Sequence, residues 1–364
     1  MISRWQRLQL PADRPIDVFR ELRTARRILI APNDRVGGVF MGTPVYKAIR
    51  ESYPQAHVAL LAGEKEMSIA ARIPFIDEVL RGPEDRPVWC AEYRQLVQRL
   101  RTEKYDLAIC LGPDCSFRLS RLCGLSGARL RVGFHREGIV PFNFEIVARN
   151  ESVYEGDQYL SLLGLLGLKA EGHVSWKSYD VGAQRVRERY LAGEFSHGDA
   201  VGLDLTRGEG QGFSIRQLDD IVGRVIERGA RAVLFFSLAE RKHVDYLTSG
   251  YGDRVLPFAE DDLSGVAAAL EGCRALISCN TDVLHLAMSL RIPAIGVFDE
   301  DVRRWISENN ESVEVLQVRD VRTVSITEVA QALDRTLGHE VAGVIAAAAA
   351  AQTGRIAGAP SLEG

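Results

Sequence analysis

The sequence predicts an α/β protein built from two doubly wound domains that face a cleft. Three observations carry this. Short continuous apolar runs alternate with amphipathic helical stretches, the signature of parallel strands covered on both faces. The alternation loosens after about residue 175 and restarts at Ala200. The 364 residues are enough for two domains at about 100–200 residues each. The expected organisation is a first domain over 1–175, a linker over 176–199, a second domain over 200–338 and a disordered tail over 339–364.

The elements follow in order. Arg27 to Ala31 reads as a buried strand, and Pro44 to Tyr53 as a helix with Val45, Ile49 and Tyr53 on one stripe. His57 to Ala62 is a strand, Glu64 to Arg72 a helix and Glu78 to Leu80 a short strand. Tyr93 to Glu103 is helical, with Leu96, Val97 and Leu100 spaced for one face. Leu107 to Leu111 and Arg131 to Phe134 are further strands. The looser stretch mixes Gly, Ser and charges, with one helix around Ala183 to Leu191. In the second half Ala200 to Leu205 is a strand. Ser214 to Arg228 is a helix that Ser214 caps and Gly229 stops. Ala232 to Phe236, Ala275 to Ser278 and Pro293 to Phe298 are strands. Leu263 to Leu270, Val283 to Leu290 and Ser325 to Leu337 are helices. The Ala- and Gly-rich run after His339 offers no packing face.

Composition removes several function classes. A net charge of -4 supplies no global basic field for nucleic acid or an anionic membrane. No apolar run reaches the roughly 18 residues of a membrane span. Met1 to Arg20 lacks the apolar core of a signal peptide, so a soluble cytoplasmic protein is expected. The six cysteines form no CxxC pair, so no metal site is indicated. Cys110 and Cys279 read as small buried hydrophobes.

Four loops at strand ends hold the candidate chemistry, because ligands in such sheets sit at the carboxyl ends of the strands. The first is Pro32-Asn33-Asp34-Arg35-Val36-Gly37-Gly38-Val39. Its adjacent glycines permit close backbone approach, but it is neither a dinucleotide fingerprint nor a Walker loop. Asp34 can act as a general base on a hydroxyl or cap the turn. The second is Thr206-Arg207-Gly208-Glu209-Gly210-Gln211-Gly212, a flexible lead into a helix N-terminus. There Arg207 can pair with a phosphate, or the loop is a solvated hinge. The third is Ser278-Cys279-Asn280-Thr281-Asp282-Val283-Leu284-His285. Thr281 or Asp282 caps the helix, and His285 is a packed residue or a ligand contact. The fourth, Asp299-Glu300-Asp301, is acidic.

In this order the segments resemble glycosyltransferase family 9, the bacterial heptosyltransferases of lipopolysaccharide core synthesis. The likeness spans roughly Arg26 to Leu337. It rests on Ile28-Leu29-Ile30, Val36-Gly37-Gly38-Val39 and Thr43-Pro44, then on Pro74-Phe75-Ile76-Asp77-Glu78-Val79, Lys104 to Ile109 and Arg131 to Phe134. In the second half it rests on Leu276 to Ala287 and Ile292 to Phe298.

The resemblance implies two Rossmann-like domains of the GT-B type. It implies a nucleotide-sugar donor, typically an ADP-heptose, on the C-terminal half and a glycan or glycolipid acceptor on the N-terminal half. It implies inverting transfer with no essential metal and no cofactor. Thr206, Arg207, Asn280, Thr281, Asp282 and His285 become the donor-side candidates. Arg35, Gly37 and Gly38 become the acceptor-side loop.

Departures from the family pattern define further expectations. Gly38 stands where the family carries its presumed base, an aspartate, and Asp34 is the nearest replacement. Asp282 stands where the family has glycine, and a carboxylate aimed at a diphosphate repels it. The family's lysine segment is replaced, leaving Arg207 or Arg216. A lipid-borne acceptor would bring the N-terminal half to the inner membrane, with Arg118, Arg121, Arg129 and Arg131 as candidate contacts. The alternative is a catalytically degenerate GT-B binding or scaffold protein.

Overall fold

The computed structural model describes residues 15–33, 37–64, 66–82, 87, 89–112, 117–135, 141–147, 154–168, 200–206, 212–259, 263–307, 310 and 312–338. The expected linker, its helix around Ala183 and the expected tail lie outside the described residues.

The first half opens with α1 (Val18–Thr24), capped by the Asp17 carboxylate, which accepts from Arg20 N. It continues as β1 (Arg27–Ala31), α2 (Gly38–Met41), α3 (Thr43–Ser52), β2 (His57–Ala62), α4 (Met67–Ala70), β3 (Glu78–Arg81), α5 (Ala91–Glu103), β4 (Leu107–Cys110), α6 (Phe117–Leu125), β5 (Leu130–Phe134), β6 (Phe144–Ile146) and α7 (Glu155–Leu165). The second half runs β7 (Ala200–Asp204), α8 (Ile215–Glu227), β8 (Arg231–Phe235), α9 (Arg241–Tyr251), β9 (Val255–Phe258), α10 (Leu263–Leu270), β10 (Ala275–Cys279), α11 (Asp282–Ser289), β11 (Ala294–Phe298), β12 (Val313–Gln317) and α12 over 326–338.

Each half forms one six-stranded sheet, and every strand pairing is parallel. The orders are β3-β2-β1-β4-β5-β6 and β12-β11-β10-β7-β8-β9. Renumbered from its own first strand, the second sheet repeats the first, and both have the doubly wound order. The central strands are apolar along their length because both faces are covered. Ile28, Leu29, Ile30 and Ala31 are wholly buried, as are Ala275, Leu276 and Ile277.

Helix α8 shows how local chemistry fixes an element. Ser214 accepts from Gln217 N, while the Gln217 side chain accepts from Ser214 N, completing a capping box. Leu218, Ile221, Val222 and Val225 then recur on one buried face. Gly229, at φ +77°, ends the run in the left-handed region.

Several elements depart from the sequence reading. The expected helix Glu64 to Arg72 shrinks to four residues, hemmed by Gly63 and Pro74. The strands β6, β9 and β12 were not foreseen. They lie at sheet edges, partly exposed, and Glu145, Pro257 and Glu314 dilute their apolar signal. Helices α6, α7 and α9 were also not foreseen.

The halves pack together. Helix α2 meets α11 and α4 meets α10. One continuous apolar cluster takes in Val39, Phe40 and Met41 from α2 and Val283, Leu284 and Ala287 from α11, with Trp305 and Ile306 beside them. The carboxyl ends of β1 and β10 therefore meet at a shared seam.

Candidate functional site

Strand order reverses between β1 and β4 in the first sheet and between β7 and β10 in the second. Such reversals open a crevice beyond the strand ends, where ligands bind. Asn33 follows β1 and Gly112 follows β4 at the first crevice. Asp204 ends β7 at the second, and Asn280 and Thr281 follow β10.

The second crevice is organised by Asp204, a carboxylate at the end of the apolar strand Ala200-Val201-Gly202-Leu203-Asp204 and wholly buried. Its Oδ1 accepts from Thr206 N at 2.9 Å and from the Thr206 hydroxyl at 2.6 Å. Its Oδ2 accepts from Ser278 Oγ at 2.7 Å and Thr281 Oγ1 at 2.6 Å. Burial raises its pKa, and these hydrogen bonds oppose the rise. Thr281 is the N-cap of α11, its Oγ1 also accepting from Leu284 N at 3.3 Å. The Thr206 and Thr281 hydroxyls are thus committed inside the protein. They shape the strand ends.

Asn280 and His285 form the next layer. Asn280 Nδ2 donates to Glu300 Oε1 at 2.6 Å, which turns Oδ1 toward His285 Nε2 at 2.9 Å. The His285 proton therefore resides on Nε2 and Nδ1 is left as an acceptor. Burial pushes the imidazole pKa down to about 4, so His285 is neutral near pH 7. Its ring lies 5.8 Å from that of Trp305. In the acidic fourth loop the exposed Glu300 accepts from the Asn280 amide and holds it in place.

The glycine turn of the first half rests directly on this layer. Gly37 adopts φ +74° as the N-cap of α2, and a Cβ there would lie 2.6 Å from His285 Cγ. Asp282, half-buried at the start of α11, accepts from Gly37 N through Oδ1 at 3.1 Å. Its carboxylate thus reaches across the seam to the acceptor-side turn. A Cβ on Gly38 would overlap the carbonyl oxygen of Asn33. In this loop geometry position 38 cannot carry the aspartate of the family pattern.

Among the residues the sequence reading did not single out, Asn33 lies against the glycine turn. Its side chain is buried and donates to Glu155 Oε1, which also accepts from Tyr159 OH at 2.5 Å. Glu155 Oε2 faces Arg304 Nε, from the other half, at 3.5 Å. Asp204 had a signal, a carboxylate closing an apolar strand. Glu155 had none, because its role depends on α7 packing beside α3. Asp34, Arg35 and Arg207 lie outside the described residues. Arg216 lies in the first turn of α8.

Of the four arginines named for membrane contact, only Arg131 is withdrawn from the surface, and Arg129 is exposed. Arg131 is buried and donates to the carbonyls of Pro141 and Ala128, which corrects its reading as a surface cation. Arg121 lies 5.4 Å over the Tyr93 ring, and Arg118 acts electrostatically on the same phenol. Arg129 meets Glu21 at 3.6 Å. Among the described residues no helix is long and apolar enough to cross a membrane. Nor do any three His, Cys, Asp or Glu side chains among them gather in a metal-binding group.

Comparison with known proteins places this geometry. No protein-family model matches the chain. Lipopolysaccharide heptosyltransferase 2 of Escherichia coli is 20% identical over 293 residues, covering 75% of this chain and 82% of that protein. A family 9 glycosyl transferase of Veillonella parvula superposes with a TM-score of 0.73 at 16% identity, over 86% of this chain and 97% of that one. An E. coli heptosyltransferase solved with ADP superposes at 0.68 and 17% identity, over 85% of this chain and 99% of that one. Both sheets and the facing crevices belong to that fold.

Proposed function

We propose that the chain, a divergent member of glycosyltransferase family 9, transfers a sugar from a nucleoside-diphosphate donor to a glycan or glycolipid hydroxyl with inversion. The observation that carries this reading is the alignment with lipopolysaccharide heptosyltransferase 2 over 82% of that protein. It runs across both halves rather than one nucleotide-binding unit. The E. coli heptosyltransferase solved with ADP supports an adenine nucleotide donor.

The chemistry is assigned as follows. The acceptor hydroxyl enters from the first crevice, where Asp34 takes its proton as the oxygen attacks the anomeric carbon. The bond to the diphosphate breaks, and the leaving group gains negative charge. Arg207 and the N-terminal backbone of α11 stabilise that charge. Asn280 and neutral His285 orient the donor by hydrogen bonds rather than by charge. The only cations this scheme calls on are the chain's own arginines.

Calorimetric titration with ADP- and UDP-sugars tests the reading. Binding at millimolar or tighter affinity, with the adenine series favoured, is the expected outcome. Silence across the donor panel would instead support the scaffold reading. Asp34→Asn is expected to abolish turnover while sparing donor binding. Unchanged turnover removes Asp34 from the mechanism.

A further inference from the structure

We infer that Glu155 is a positioning residue for the transfer, locking the acceptor-side loop to the donor-side half; the inference rests on the function proposed above. Three facts define its place. It is 1% exposed, at the N-terminus of α7. Its Oε1 holds the Asn33 amide and the Tyr159 hydroxyl. Its Oε2 makes no hydrogen bond and faces Arg304 across the seam at 3.5 Å.

Asn33 is packed against two glycines, Gly38 and Gly112. Its carbonyl oxygen blocks any side chain at Gly38, and its side chain fills the space that a Cβ on Gly112 would need. Fixing this one side chain therefore fixes the end of β1 against Gly38 and Gly112. A carboxylate is suited to the task because one oxygen accepts from two donors while the charge attracts a cation at longer range.

Arg304 extends the connection. Its guanidinium lies 5.2 Å over the Trp305 ring, and Trp305 neighbours His285. His285 hydrogen-bonds Asn280, the donor-side candidate. A contiguous path therefore runs from the acceptor-side loop through Glu155 and Arg304 to the donor-side layer. A buried carboxylate facing a partner on another element is costly to separate from it. Glu155 thus biases the halves toward the arrangement in which Asn33 and Arg304 both lie against its carboxylate.

The test compares Glu155→Gln, Arg304→Met and the double variant with the parent chain. Gln keeps an acceptor for Asn33 and Tyr159 but loses the attraction to Arg304. Each single variant is expected to lower kcat at least tenfold, with ADP affinity by calorimetry and donor KM within about twofold of the parent. The double variant is expected to be no worse than the singles, as for one shared interaction. A purely structural role predicts lower thermal stability with kcat per folded molecule unchanged, and that result overturns the proposal.

Hydrogen exchange supplies a readout that needs no turnover. Amides of Gly37 to Gly42 are expected to exchange at least tenfold faster in both singles, while those of β7 and β8 are unchanged. If the parent shows no transfer but this local effect is present, the enzymatic reading fails and the coupling stands. If the exchange at Gly37 to Gly42 does not change, the coupling fails whatever the activity.

Discussion

His285 carries a prediction that follows from burial alone. Its folded pKa is about 4, against an ordinary value of 6.5. Between these values the unfolded chain binds the proton that the folded chain refuses, so stability rises with pH through that window and falls on acidification. The loss from this site on going from pH 7 to below 4 is roughly 3 kcal/mol. Urea midpoints across that range should show the slope, and His285→Gln should flatten it. A slope that survives in the variant assigns the effect to another group. Gly38 makes a second case at this scale. Gly38→Ala should cost about 1–3 kcal/mol, because the new methyl must displace the Asn33 carbonyl rather than a pliant side chain. Thermal denaturation measures it, and a neutral result would mean that the loop shifts freely.

Among elements, α11 concentrates the consequences. Its N-cap is also a ligand to the buried Asp204, so one hydroxyl serves the helix end and the strand end together. Thr281→Ala should cost about 2 kcal/mol, more than an ordinary cap, since Asp204 loses a donor it cannot replace with water. Ser214→Ala, at a cap with no such second role, should cost about 1 kcal/mol. Equal losses in the two variants would contradict the claim that Asp204 organises the crevice. The same contrast shows what sequence patterning can reach. Ser214, Gly229 and the apolar face of α8 are local signals, and they are legible without the fold. For α11 the local pattern leaves Thr281 or Asp282 as the cap; the bond from Leu284 N selects Thr281, and its second contact lies on a strand 77 positions away.

At the scale of the whole molecule the decisive contact is Asp282 with Gly37. It joins the two halves, and on the proposed function it puts a carboxylate on the donor side. Asp282→Asn preserves an acceptor for the Gly37 amide and removes the charge. ADP binding should tighten about tenfold, the order given by one unit charge at about 10 Å in an effective dielectric of about 20. The gain should shrink at high salt. Weaker binding in the variant would show that the carboxylate assists the nucleotide.

By itself the sequence determined the fold class, the two βα arrays and the strand-end loops, because continuous apolar strands and periodic helices are written in nearest-neighbour order. It also marked Asn280, Thr281, Asp282, His285 and the glycine turn as one site on the strength of resemblance. Tertiary structure alone decided how they are used. It turned Thr206 and Thr281 inward onto Asp204, set the proton of His285 through Asn280 and Glu300, and withdrew Arg131 from the surface. It also brought Asn33, Glu155 and Arg304 together from positions 122 and more apart. Those are pairings between groups distant in the chain, and no local pattern encodes which buried donor will meet which acceptor once two sheets close on each other.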